Sequence, residues 1–136
     1  LGSSATAQDA ELTCQVLGAT GSVVEIPEKL MNAVTGVSGS GPAYVYMFIE
    51  ALADGGVAEG LPRAQALELA AKTVQGAAAM VTETGLHPAL LKDMVTSPGG
   101  TTIEALNTLE DQGFRSAVIN AVRTSSAKAD EMGGAS

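Results

Sequence analysis

Residues 92–106 read KDMVTSPGGTTIEAL, the one stretch in which the sequence gives up stability for shape. A helical apolar run stops at Ser97 and Pro98, Gly99 and Gly100 permit backbone angles that a β-carbon forbids, and Thr101 opens a new periodic segment. The stretch is therefore expected to be a tight turn feeding a helix N-terminus. Amides at such an end have no intrahelical acceptor and lie at the positive end of the helix dipole, so a carboxylate or phosphate is the natural guest. Two consecutive glycines let that guest come close. The same residues carry a second reading: Thr101 with Glu104 three positions on is a capping-box pattern, which satisfies two of those amides within the chain. Under either reading Thr102 is left over, with a hydroxyl available to whatever approaches the turn.

Outward from this turn, composition sets the fold class. With 46% apolar residues, 3% aromatic and no Trp in 136 residues, a core must be made of Ala, Val, Leu, Ile and Met, which implies closely spaced helices in a single domain of common size. A net charge of -8 disfavours nucleic acid and anionic lipid as partners, and the few Lys and Arg do not cluster. No run approaches the roughly 18 apolar residues of a membrane span, and no leader is visible, so a soluble, cytoplasmic protein is expected. Cys14 and His87 are each the only one of their kind, which leaves neither a disulfide within the chain nor a metal centre. His87 stands directly before Pro88 and reads as a helix-start residue.

In chain order, Leu1 is not a natural start residue and Gly2–Thr6 reads as loop, so the chain is expected to be a piece of something longer. Residues 8–18 have a helical pattern, and GATGS leads into Val23, Val24, Glu25 and Ile26, a short strand in expectation. Gly18 and Gly21 do not make the dinucleotide fingerprint, and no strand precedes them. From Pro27 on the pattern is helical. It predicts a short helix over 28–35 ending at Gly36, a flexible Ser38–Gly41 lead-in, and a helix with Pro42 in its first turn that is buried nearly all round. That lead-in has two readings, an ordinary helix cap or an anion cradle.

The longest helix is expected to start at Pro62 and end at Gly85. It carries two stripes, Leu67, Ala70, Ala71, Val74, Ala78 and Val81 on one side and Ala66, Leu69, Thr73, Gly76 and Met80 on the other. One stripe inside the subunit and one against a second chain is one reading, a central helix of a single bundle the other. Helices over 88–95, 101–111 and 115–131 follow, with a stop at Gly113 and a frayed GGAS tail.

The stretches VSGSGPAYVYMFIEALADGGVAEGL, AAKTVQGAAAMV, HPALLKDMVTSPGGTTIEALNTLE and GFRSAVINAV resemble the C-terminal half of the pyrroline-5-carboxylate reductase family. The resemblance covers roughly residues 22–136, and the segment before it is similar to the end of that family's dinucleotide-binding domain. It implies residues 1–26 as a helix–strand remnant of an α/β cofactor domain and residues 27–136 as an all-α bundle. That bundle dimerises through interlocked helices and supplies the substrate side of the site. The implied reaction is reduction of 1-pyrroline-5-carboxylate to proline with NADPH or NADH, with homodimers or larger homo-oligomers. The family's substrate loop falls on Ser97, Gly99, Gly100, Thr101 and Thr102, with Thr102 the catalytic threonine beside the imine ring and the proton coming from it or from water. Ser38, Gly39 and Ser40 resemble a segment near the cofactor end. With the glycine-rich loop of the cofactor domain missing, no cofactor is expected on this chain alone and no catalysis by it. The other reading is a helical dimerisation module with no ligand of its own.

Overall fold

The structure, a computed structural model, describes residue 2 and residues 4–133, and among these it is all helix and connection, with no β-strand. Helix α1 (Ala7–Gly18) starts at Thr6, whose hydroxyl accepts the Asp9 N–H while the Asp9 carboxylate accepts the Thr6 N–H, a full capping box. The run Val23–Ile26 is extended but forms no strand, and Val24 is 71% exposed. Alternating β-branched residues are not enough, because a strand needs a neighbouring edge for its N–H and C=O groups and the described residues offer none.

The expected end at Gly36 is also not found. A 3₁₀ turn (Glu28–Leu30) runs into α2 (Met31–Val34), then a π-helical turn (Thr35–Gly39), and on to α3 (Gly41–Ala58). The Ser38–Gly41 segment is thus hydrogen-bonded backbone and not a flexible loop, with the Ser40 N–H donating to the Thr35 carbonyl at 2.8 Å. Gly36 stays helical because it is a crossing point: it is buried, and a β-carbon there would lie 2.7 Å from the Val122 carbonyl oxygen. Pro42 stands in the first turn of α3 as expected.

Helices α3 and α4 (Arg63–Thr84) form a tight antiparallel hairpin whose contact line is Ala53, Ala66 and Ala70, flanked by Ile49 and Val57. Small side chains allow the close approach, and at Gly56 a β-carbon would already meet Leu61 at 3.1 Å and Ala66 at 3.4 Å. Ala66 therefore belongs with Ala70 on the inward face, not with Leu69 and Gly76 as the stripe reading placed it. The expectation that α3 is buried nearly all round fails within the single chain. Ala53 is 1% exposed, but Met47 is 74% exposed and Phe48, Val45 and Leu52 are about two-fifths exposed.

Gly85 ends α4 in the left-handed conformation, φ 66°. His87 then caps α5 (Pro88–Met94), its Nδ1 accepting the Ala89 N–H at 3.2 Å, the structural role expected of it. Helix α6 (Thr101–Asp111) ends at Gly113, φ 71°, and α7 (Phe114–Gly133) crosses back over α2 and the π turn. The crossing is tied by Ser40 Oγ to Ser125 Oγ at 2.7 Å, Tyr44 Oη donating to the Ala121 carbonyl at 3.3 Å, and Asn32 Nδ2 donating to Asp130 at 2.5 Å. Phe48 of α3 meets Phe114 of α7 with ring centroids 5.9 Å apart. Of the tail expected to fray, Gly133 closes α7 and residues 134–136 lie outside the described residues.

The chain exposes 10384 Å², against about 6,600 Å² for a compact monomer of its 13.6 kDa mass. With large apolar side chains exposed along the whole chain, from Leu12 and Val16 of α1 through Met47 of α3 and Leu69 of α4 to Ile119 of α7, an excess of that size marks a subunit whose core is not closed by its own helices.

Candidate functional site at the 97–102 turn

Ser97–Gly100 is a four-residue turn closed by the Gly100 N–H donating to the Ser97 carbonyl at 3.0 Å. Pro98 presets the second position, and Gly99 takes φ 65° at the third, which a side chain would resist. Gly100, extended at ψ 169°, is the N-cap of α6 and has no side chain with which to cap it. Here the capping-box reading fails. Thr101 is already the first helical residue, so its hydroxyl cannot turn back over the amides, and no side-chain cap is formed.

The consequence is a concentration of uncommitted donors. Among the described residues the N–H groups of Thr101, Thr102 and Ile103 have no acceptor, and the hydroxyls of Ser97, Thr101 and Thr102 make no hydrogen bond. The next amide, Glu104, reaches the Gly100 carbonyl only at 3.5 Å. Thr102 is half-buried while Thr101 is exposed. A β-carbon on Gly100 would run into Ser97 Oγ, so the serine hydroxyl stands over the open end of the helix. Three amides at the positive end of a helix, one serine and one threonine hydroxyl suit a small carboxylate, and they do so without a cation, in keeping with the acidic chain.

The contiguous residues Ser97, Gly99, Gly100, Thr101 and Thr102 are thus brought together. Ser38 and Gly39 lie elsewhere, on the π turn, with Ser40 between it and α3, and they share no hydrogen bond with the 97–102 turn. Ser38 Oγ donates to the Val34 carbonyl at 3.0 Å and Ser40 is paired with Ser125, so both hydroxyls are engaged within the chain. The cap reading of the lead-in does not hold, since Ser40 does not cap α3 with its side chain, and the Ser40 N–H is spent on the Thr35 carbonyl. Sequence reasoning missed Ser125, whose contact spans 85 positions and has no local signature. No group of His, Cys, Asp and Glu among the described residues could hold a metal, and none of the helices searched is long and apolar enough to cross a membrane.

Comparison with known proteins places this geometry in a family. The family described as pyrroline-5-carboxylate reductase dimerisation matches residues 28–132. The chain is 53% identical over 132 residues to a pyrroline-5-carboxylate reductase of Methanosarcina acetivorans, covering 97% of this chain and 49% of the relative. It is 61% identical over 118 residues to that of a Synechocystis species, covering 87% of this chain and 44% of the relative. The crystal structure of the Plasmodium falciparum pyrroline carboxylate reductase with NADP bound superposes with a TM-score of 0.89 at 38% identity, over 97% of this chain and 53% of that one. The chain therefore spans about half the length of the relatives it matches. A match over 28–132 takes in every helix from α2 to α6 and nearly all of α7, the whole scaffold that holds the 97–102 turn, and on that ground the chain belongs to the pyrroline-5-carboxylate reductase dimerisation family.

Proposed function

We propose that this chain is the helical, substrate-holding half of a two-domain reductase that converts 1-pyrroline-5-carboxylate to L-proline with NADPH or NADH, with residues 1–26 the end of the cofactor domain and residues 27–136 the helical domain. The observation that carries the proposal is the uncapped start of α6, with three unused amides beside the hydroxyls of Ser97 and Thr102. The amides of Thr101, Thr102 and Ile103 and the Ser97 hydroxyl hold the substrate carboxylate. The Thr102 hydroxyl faces the ring and holds its nitrogen. Bound reduced nicotinamide supplies the hydride. The imine carbon gains that hydride, the C=N electron pair passes to nitrogen, and nitrogen takes up one proton, from Thr102 or from water, to give the ring amine. Fixing the ring at its carboxylate and its nitrogen together makes the transfer effectively intramolecular.

For the cofactor edge the fit rests on main chain and not on hydroxyls. Gly39 is exposed, and a β-carbon there would meet only the Thr35 side chain, at 3.5 and 3.9 Å, so the main chain at the π turn is open to close approach. The chain alone is not expected to turn over. The working unit is a homodimer or larger, in the cytoplasm.

A second reading, a dimerisation module with no ligand of its own, is favoured by the exposed apolar faces of α3 and α4. Titration of the chain with L-proline, followed by backbone amide shifts, separates the two. Selective movement of the Thr101, Thr102 and Ile103 amides supports the substrate site. Their silence, or an equal response to inorganic phosphate, removes it.

A further inference from the structure

Thr96, the residue just ahead of the turn, is the only one in the 93–99 stretch that is half-buried, the others being exposed. Its Oγ1 donates to the Lys92 carbonyl at 2.6 Å, and its N–H donates to the Asp93 carbonyl at 3.1 Å. The Lys92 carbonyl also accepts the Val95 N–H at 3.2 Å. Side chain and main chain of Thr96 together close the end of α5, using carbonyls that a helix C-terminus otherwise leaves open. The next residue must abandon helical angles because Pro98 follows it, so the direction in which Ser97 leaves is set by the residue before it. On the far side the turn is held by the Gly100-to-Ser97 hydrogen bond. Helix α5 is only 7 residues long and meets α4 sparingly, so these local bonds, more than packing, define where the Ser97 hydroxyl stands.

We propose that Thr96 is a positioning residue for the anion site: its hydroxyl, clamped to Lys92, acts through Ser97 to hold that residue's hydroxyl beside the α6 amides. The inference rests on the reading of the turn as a carboxylate site. Thr96→Val keeps the β-branched shape and removes only the O–H donor, whereas Thr96→Ser keeps the donor.

The test is steady-state kinetics of Thr96→Val, Thr96→Ser and Thr102→Val in the two-domain reductase, with both substrates varied. In Thr96→Val the KM for the imino acid rises about fivefold to tenfold, while kcat and the cofactor KM change less than about twofold, because ground-state positioning is lost and the groups at the reacting atoms remain. Thr96→Ser restores the KM. A parent-like KM in Thr96→Val, a KM that Thr96→Ser does not restore, or a lowered melting temperature with unchanged KM overturns the positioning role. Parent-like kinetics in Thr102→Val is a separate result that overturns the reading of the turn itself.

Discussion

The Cα of Gly36 lies so close to the main chain of α7 that a β-carbon on it would stand 2.7 Å from the Val122 carbonyl oxygen and 3.3 Å from Val122 Cγ1. This contact is where the helix of residues 31–58 and the last helix cross, and the π turn begins one residue before it. Two helical backbones come this near only over glycine, so the position fixes the angle at which α7 returns over the chain.

Gly36→Ala is accordingly expected to destabilise the protein by about 1–3 kcal/mol, the range for overpacking a tight contact. The obstructing atom is a main-chain oxygen, so trimming the neighbour in a Gly36→Ala, Val122→Ala double variant is not expected to restore stability. Urea unfolding at fixed protein concentration measures both. Recovery in the double variant would move the obstruction from the backbone to the valine side chain.

The two adjacent threonines of the turn are expected to separate by role. Thr102→Val in the two-domain reductase lowers the specificity constant by about 1–3 kcal/mol, the scale of one lost polar contact in a site, and leaves the melting temperature alone. Thr101→Val, which as a cap would cost about 1 kcal/mol, is expected to stay within about 0.5 kcal/mol of the parent, because the structure shows no cap to lose. Unchanged kinetics in Thr102→Val removes the role given to it, and a clear stability loss in Thr101→Val restores the capping box.

What was legible in the sequence was the local punctuation. Pro42 in a first turn, Gly85 and Gly113 at helix ends, and His87 ahead of Pro88 each act through the angles of one or two residues, so their positions could be read without neighbours. The capping box failed by one position. Whether Thr101 or Gly100 is the N-cap depends on which takes extended angles, and the glycine does. Gly36 and Ser125 were opaque for a different reason, since each owes its role to a segment some 85 positions away. The turn itself could be placed from Pro98 and its two glycines, but that three amides and three hydroxyls there are uncommitted needed coordinates.

At the other end of the chain, Asp9 gives a pH-dependent test. Its carboxylate accepts the Thr6 N–H at 2.8 Å and the Thr6 hydroxyl at 2.7 Å, and the backbone bond first, then the side-chain bond, hold its pKa below the ordinary 3.8. A carboxyl whose folded pKa is depressed stabilises the charged, folded form. The cap on α1 is therefore fully effective above 3.8 and is lost as pH falls below that value through the lower folded pKa. NMR titration of the Asp9 carboxyl is expected to give a midpoint under 3.8, with the α1 amides losing exchange protection over the same window and Asp9→Asn removing that dependence. A midpoint at or above 3.8 would show the box open in solution.

Assembly is the prediction that rests on no cofactor. Leu69 and Met80 of α4 are 56% and 46% exposed, and with Thr73 and Gly76 they make a continuous strip flanking the Ala66 and Ala70 contact line. Gly76 has nothing within 4 Å of where its β-carbon would be, so the strip is open to a second backbone. The charge of -8 on each subunit opposes association, but at about 0.15 M salt charges beyond ~8 Å are largely screened. Covering apolar area contributes roughly 25 cal/mol per Å², whereas the repulsion is screened, so burial of the strip is expected to dominate. The chain at micromolar concentration is expected to sediment as a dimer or larger. Gly76→Glu sets a bulky charge in the strip and is expected to give monomer or aggregate, whereas Glu68→Gln, outside both stripes, leaves assembly unchanged. A clean 13.6 kDa monomer of the unmodified chain would refute the interface and make α4 no more than the centre of a loose bundle.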